Sequence, residues 1–154
     1  MNRFEFTEDW WLPHPRAAVA DVLLDLARYP VWWPQVVAVA SLGPDDARVL
    51  CRSVLPYTLD LVLHAERRDA DVLETLVDGD LEGTARWRLL DEGAGTRMLF
   101  EQEVGVAGRW LAVAAVLARP AVRWNHGRMM AGCRAGLETR LAGRSGEAET
   151  VEPA

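Results

Sequence analysis

The chain contains no lysine, and all 17 positive charges among its 154 residues are arginines. Biased coding in a GC-rich genome explains this preference without any functional demand. The absence has a chemical consequence, because Schiff-base catalysis and the attachment of pyridoxal phosphate both need a lysine amine. Both kinds of chemistry are therefore excluded for this chain.

Groups for nucleophilic and metal chemistry are also sparse. Cys51 and Cys133 lie in no nucleophile signature and, because no secretion signal is visible, are expected to be reduced thiols. The serines form no G-x-S-x-G elbow, and no nucleotide motif is present. His14, His64 and His126 show no metal-ligand spacing with one another. We therefore predict no metal ion and no cofactor.

Charge and hydropathy restrict the partners of the chain. A formal net charge of −6, without a basic cluster, argues against nucleic acid and against an anionic membrane surface. The longest apolar stretch, Trp110 to Ala118, is far too short to span a bilayer. We expect a cytoplasmic protein, either a monomer or a homodimer. It should have one domain over residues 1–142 and a disordered tail over residues 143–154.

The apolar pattern predicts strands along most of the chain. A first strand at Arg3–Leu12 is followed by a helix at Ala17–Ala27 and by a turn or short helix at Tyr29–Pro34. Six more strands follow, at Val36–Leu42, Arg48–Leu55, Thr58–Arg68, Val72–Asp78, Glu82–Leu90 and Thr96–Val106. Each strand has one apolar face and the connections are short, which predicts an antiparallel sheet with one wet side.

A long helix is predicted to close the fold, from Pro120 to Leu141, and Gly108–Arg119 is expected to be helical as well. His126 lies on the apolar stripe of the long helix, together with Val122, Met129, Met130, Cys133, Leu137 and Leu141. A helix that covers a sheet but carries a histidine on its buried side indicates a pocket. We therefore predict an α+β fold, in which a curved antiparallel sheet of about seven strands wraps around the C-terminal helix.

Several short motifs occur in an order that is typical of one superfamily. Pro15–Val31 is similar to the opening helix of that superfamily. Trp33–Pro34 is similar to its Trp-Pro turn, and Leu55–Tyr57 is similar to the start of the strand that follows. Its central hairpin, its last strand and its helix end are similar to Gly79–Gly83, Gly95–Arg97 and Gly136–Leu137. The chain thus resembles the START-like or SRPBCC superfamily, which has the helix-grip fold and includes bacterial polyketide cyclases and dehydrases. The resemblance implies a pocket for lipids, sterols, polyketides or hormones, and it leaves both binding and catalysis open.

Two residues are candidates for acid–base chemistry. In an apolar pocket the neutral imidazole of His126 can orient a ligand carbonyl or phenol, or transfer a proton. The alternative is a core histidine bonded to the backbone or to a neighbouring strand. The Tyr57 hydroxyl, which follows Pro56 at the start of a strand, points either into the pocket or to water.

The predicted ligand contacts are aromatic, sulfur-containing or small polar side chains on faces expected to point inward. They are Trp33, Ser53, Thr75, Trp87, Phe100, Gln102, Met129, Met130 and Cys133. Core packing is the alternative for the large ones, and hydrogen bonding to the backbone is the alternative for the polar ones. The expected outward-facing charged residues are Glu8, Asp60, His64, Glu66 and Glu101.

Three functions are compatible with these residues. The first is binding of a hydrophobic small molecule, aromatic or polycyclic, in an internal cavity. The second is a polyketide aromatase or cyclase, in which the pocket folds a poly-β-keto chain and His126 or Tyr57 assists enolisation and loss of water. The third is a protein-interaction module of the same fold with a filled core.

Overall fold

The computed structural model describes residues 3–52, 58–106, 108–109, 113–114 and 118–150. The first half of this chain contains β1 (Arg3–Leu12), α1 (Arg16–Leu24), a 3-10 turn (Leu26–Arg28), α2 (Tyr29–Trp32), β2 (Val36–Ser41), β3 (Asp46–Arg52) and β4 (Thr58–Arg68). The second half contains β5 (Val72–Gly79), β6 (Leu81–Glu92), β7 (Gly95–Val106) and α3 (Arg119–Thr150).

The strands form one seven-stranded antiparallel sheet with the order β1-β7-β6-β5-β4-β3-β2. Neighbours from β2 to β7 are consecutive in sequence, and only short stretches of chain separate them. Two of these connections need glycine: Gly79 has a φ of 102° and Gly93 a φ of 59°, which side-chain-bearing residues rarely adopt. The predicted α+β fold, with seven strands and a long C-terminal helix, is confirmed.

Alternation along the strands separates a wet face from a buried face. In β7, Met98, Phe100 and Val104 are buried and Gln102 is half-buried, as the pattern predicts. Met98 is aligned with Trp10 on one side and with Leu89 on the other, so these three buried side chains form a row across β1, β7 and β6. The row is part of the core between the sheet and α3.

The buried stripe of α3 has two parts. Met130, Cys133, Leu137 and Leu141 are fully buried against the sheet, whereas the half-buried side chains before Met130 are Val122, His126 and Met129. The helix therefore packs tightly from Met130 to Leu141 and loosely from Val122 to Met129. This difference leaves space beneath the first half of α3.

Glycines on the side of α3 that faces α2 allow the two helices to touch. A Cβ atom added at Gly136 would lie 1.7 Å from the carbonyl oxygen of Trp32, and one added at Gly132 would lie 2.1 Å from Oε1 of Gln35. No side chain fits at either distance without movement of the backbone or of Gln35. The contact fixes the position of α2 relative to α3.

The ends of both long predicted helices differ from the structure. The long helix continues to Thr150 instead of ending at Leu141, so it also includes residues 142–150. This segment contains Glu147, Ala148 and Glu149, which have high helix propensity, and an anchored helix propagates easily. The first helix ends at Leu24, after which the chain tightens into the 3-10 turn.

Within the described parts of the chain, no helix is both long and apolar enough to span a membrane.

We expect opposite effects from two glycine-to-alanine substitutions in α3. Gly136→Ala should destabilise the fold by about 1–3 kcal/mol, because the new methyl group overlaps the Trp32 carbonyl. Gly127→Ala is the matched control: the site is exposed and open, so alanine should stabilise the helix by about 0.5–1 kcal/mol. Urea denaturation of both variants measures the difference. Equal free energies of unfolding for the two variants would contradict the close contact between α2 and α3.

Candidate functional site

A cavity of about 380 Å³, here called the main cavity, lies between the inner face of the sheet and the helices. Its floor includes Val49, Leu61, Val77, Trp87 and Phe100 from the strands, and Tyr29, Trp33 and Met129 face it from the helical side. The volume is within the range of sites for small organic molecules.

The helical wall of the main cavity is aromatic and held in place by hydrogen bonds. The rings of Tyr29 and Trp33 lie 5.8 Å apart. Trp33 Nε1 donates to the carbonyl oxygen of Met129 at 3.0 Å, and the Tyr29 hydroxyl donates to the carbonyl oxygen of Leu23 at 2.5 Å. Burial raises the pKa of Tyr29, so its hydroxyl stays neutral. Because both polar groups already have partners, the rings present apolar surface to the cavity.

The charged side chains that line the main cavity are each 45–58% exposed and lie at its rim: Asp25, Asp45, Asp46, Arg67 and Arg68. Arg67 and Arg68 at the end of β4 are exposed, and they pair with Asp69 and Asp45 respectively. Farther inside, Thr75 on β5 is a half-buried polar lining residue. The arrangement suits a ligand with an apolar body, because a buried charge would have no partner among the described interior side chains.

A second cavity, of about 170 Å³, lies under the first half of α3. Its lining side chains include Phe4 and Phe6 from β1, Leu59 from β4, Leu81 from β6, Gln102 and Val104 from β7, and Val122, Asn125, His126 and Met129 from α3. It is also mainly apolar, with the polar groups clustered on α3 and at Gln102.

His126 is a neutral imidazole within this second cavity. Its ring stacks on Phe6 with 3.6 Å between the ring centroids, and Nε2 lies 2.8 Å from Oε1 of Gln102. Burial lowers the pKa of His126 from 6.5 to about 4, so the ring is uncharged near neutral pH. The amide oxygen then accepts the Nε2 proton, and Nδ1 carries the lone pair.

The structure brings most of the predicted site residues together, in two groups. Trp33, Thr75, Trp87, Phe100 and Met129 line the main cavity, whereas Gln102 and His126 line the second cavity together with Met129. Met130 and Cys133 line neither cavity and are packed in the core with Trp10 and Leu137. Ser53 and Tyr57 lie outside the described residues.

Other residues of the site were not predicted. Tyr29 and Cys51 line the main cavity, and Phe6 lines the second cavity. Burial raises the pKa of Cys51 to about 12, so its side chain stays a neutral thiol. The position of Glu8 was predicted wrongly: it lies on the inner face beside Phe6 and accepts a hydrogen bond from Trp10 Nε1 at 3.2 Å. Its even position in β1 is the signal that places it there.

His64 and Glu101 occupy the outer face of the sheet and reach neither cavity. Nδ1 of His64 lies 2.6 Å from Asp46, and Nε2 lies 3.2 Å from Asp78. The hydrogen bond that the His64 ring donates to the Asp46 carboxylate raises the pKa of His64, which makes His64 a surface ion-pair partner.

No protein-family model matches the chain, and no curated protein is significantly similar to it in sequence. Solved structures do match. A protein of Thermus thermophilus superposes with a TM-score of 0.80 at 18% identity, covering 92% of this chain and 99% of the other. A START superfamily protein from Mycobacterium smegmatis gives 0.73 at 14% identity, covering 90% and 97%. The Zhui aromatase/cyclase from Streptomyces sp. R1128 gives 0.77 at 13% identity, covering 93% and 96%.

The chain has the START-like fold. At these identities the similarity establishes the fold and leaves the activity to be argued from the site. The candidate site comprises two mainly apolar cavities with one neutral histidine–glutamine pair.

We expect His126 to make stability depend on pH. Because its pKa is about 4 in the folded state and 6.5 when unfolded, the unfolded chain binds the proton first as pH falls. The contribution of neutral His126 to the free energy of unfolding should therefore be fully present above pH 6.5. It should decrease by roughly 3 kcal/mol as the pH falls to 4. His126→Phe keeps a stacked ring and removes the titration, so the free energy of unfolding of the wild type should decrease by roughly 3 kcal/mol relative to that of the variant as the pH is lowered from 7 to 4.

Denaturant titrations at several pH values measure this difference. His64 contributes with the opposite sign, since its pKa is raised in the fold and its contribution is lost as pH rises, but it is common to both proteins and cancels. A constant difference between wild type and His126→Phe from pH 7 to pH 4 would mean that His126 is not desolvated.

Proposed function

We propose that this protein binds a hydrophobic small molecule, aromatic or polycyclic, in the main cavity. The observation that carries the proposal is an apolar cavity of about 380 Å³ with aromatic walls inside and charges only at its rim. A protein-interaction module with a filled core would not contain an apolar cavity of this size. The START-like fold of the neighbours, which include an aromatase/cyclase, agrees with a ligand-binding role.

Physical chemistry supports an apolar and planar ligand. Trp87 and Phe100 lie beside each other on the floor, with 4.7 Å between their ring centroids, and the fixed ring of Trp33 belongs to the opposite wall. Offset stacking and edge contacts with such rings favour aromatic ligands. The wall is already ordered by its own hydrogen bonds, so little conformational entropy is lost on binding.

We expect a bulky residue in the main cavity to abolish ligand retention. Ala85 lines the cavity from β6, whereas its neighbour Thr84 is exposed on the outer face. Native mass spectrometry of the purified protein, followed by organic extraction, should reveal an apolar molecule at one-to-one ratio. Ala85→Phe should lose that molecule and Thr84→Phe should keep it. Equal ligand content in both variants, or no bound molecule in the wild type, would contradict binding in the main cavity.

A second candidate function is an aromatase or cyclase that acts on a poly-β-keto chain. The observation that favours it is the His126–Gln102 pair, a localised polar group in a mainly apolar second cavity. The unprotonated Nδ1 can accept a proton from a carbon between two carbonyls, which leaves an enolate and an imidazolium, and the Gln102 amide can donate a hydrogen bond to the enolate oxygen. Tyr57, which lies outside the described residues, is the other acid–base candidate for the loss of water.

The two candidates predict different consequences of His126→Ala. If the protein only binds, affinity for the extracted molecule should change by less than about tenfold, the value of one buried hydrogen bond. If it cyclises a poly-β-keto substrate, turnover should decrease by about 10²-fold or more while binding changes little. Tyr57→Phe provides the same comparison for the other acid–base candidate. Turnover that neither substitution reduces would rule out both residues as catalytic groups.

A further inference from the structure

The two cavities follow each other along the inner face of the sheet. On β7, Phe100 lines the main cavity and Gln102 lines the second; on β4, Leu61 lines the main cavity and Leu59 the second. Residues two apart on one strand face are separated by about 7 Å. The cavities are therefore adjacent compartments under the same helix.

Among the described residues, Met129 alone lines both cavities. Its carbonyl oxygen is held by Nε1 of Trp33 at 3.0 Å, which fixes the backbone at this point of α3. Its side chain is unbranched and has three rotatable bonds, so it can change rotamer without moving the helix. Met129 is thus an adjustable partition on a fixed backbone.

The compartments differ in size and in polarity. At about 170 Å³ the second cavity is below the usual range for a complete ligand site but can hold one benzene-sized ring, whereas the main cavity, at about 380 Å³, can hold a larger ring system. The second cavity contains the His126–Gln102 pair. A ligand that fills both compartments needs an apolar body and a small arm with a hydrogen-bonding group.

We propose that the two cavities form one bipartite site divided by Met129, for a ligand with a polycyclic apolar body and a neutral hydroxyl- or carbonyl-bearing arm. The body occupies the main cavity, and the arm passes Met129 to reach the His126–Gln102 pair. Met129 then determines which ligands enter the second cavity. This inference rests on the proposed function, because the arm has no role unless the body binds.

The polar pair favours a neutral hydroxyl on the arm. Oε1 of Gln102 accepts the His126 proton and, like any amide oxygen, has a second lone pair for a ligand hydroxyl. The amide nitrogen of Gln102 is a donor for a ligand oxygen. An ionised arm would lose its hydration without gaining an opposite charge inside the second cavity, because the described lining residues there are uncharged, the imidazole included.

Three probes separate the compartments: naphthalene has the body alone, 2-phenylnaphthalene adds an apolar arm, and 4-(naphthalen-2-yl)phenol adds a hydroxyl to that arm. Calorimetric titration of the wild-type protein should give the tightest binding for the phenol, by about tenfold over the phenyl compound. Gln102→Leu should abolish that advantage and leave the affinity for naphthalene unchanged.

Substitutions of Met129 test the partition. Met129→Ala should strengthen binding of both armed probes relative to naphthalene by about threefold or more, since no side chain has to be ordered beside the arm. Met129→Phe should weaken both armed probes by about tenfold relative to naphthalene, because the phenylalanine ring narrows the passage between the two cavities. Met130→Ala is the control: the neighbouring methionine is buried in the core and lines neither cavity, so it should leave the probe ranking unchanged.

The outcomes distinguish this inference from the proposed function. If naphthalene binds but Gln102→Leu and the Met129 variants leave the ranking of the probes unchanged, the bipartite site is wrong and binding in the main cavity stands. If none of the three probes binds to the wild-type protein, both the bipartite site and the binding of a ligand in the main cavity are wrong. If Met129→Ala does not fold, Gln102→Leu and Met129→Phe still decide between these outcomes.

Discussion

The structure depends on how α3 covers the single apolar face of a curved sheet. A sheet with one buried face needs a partner layer, and α3 is the long element that supplies it. The stripe from Met130 to Leu141 is completely buried against Trp10, Leu89 and Met98, and this contact anchors the helix. The first half of the same stripe extends over the region where the cavities form. One continuous pattern of side chains therefore builds a packed core at one end and a hollow site at the other.

The aromatic wall of the main cavity depends on the same helix. Gly136 lets the Trp32 carbonyl reach the surface of α3, and Trp33 then donates its indole proton to the Met129 carbonyl. These two contacts, one made by Trp32 and one by Trp33, hold the end of α2 against α3. The wall is rigid because its positions are set by backbone contacts and not by the ligand. A rigid apolar cavity left empty loses dispersion contacts along its lining, which a fitting ligand restores.

The fold and the direction of most side chains were predictable from the sequence, because both follow from local periodicity. Alternation in β7 correctly placed Phe100 and Gln102 inward, and helical spacing placed His126 beneath α3. The division between cavity and core was not predictable: Met129 faces both cavities and Met130 faces the core, although both lie on the same stripe. That division depends on where the curved sheet separates from α3. Glu8 was expected on the outer face, although its spacing in β1 puts it on the same face as Phe4, Phe6 and Trp10, which is the inner face.

The environment of His126 favours positioning over catalysis. A general base works best when its pKa is near the working pH, because it must be unprotonated at the start and still bind the proton well in the transition state. Burial against Phe6 lowers the pKa of His126 to about 4, so the ring is always ready to accept a proton but holds it weakly. Such a ring is better suited to keeping one protonation state and one hydrogen bond to Gln102 than to transferring protons. Uniform hydrogen bonding stabilises a bound ligand without selectively stabilising a transition state, which is what a binding protein requires.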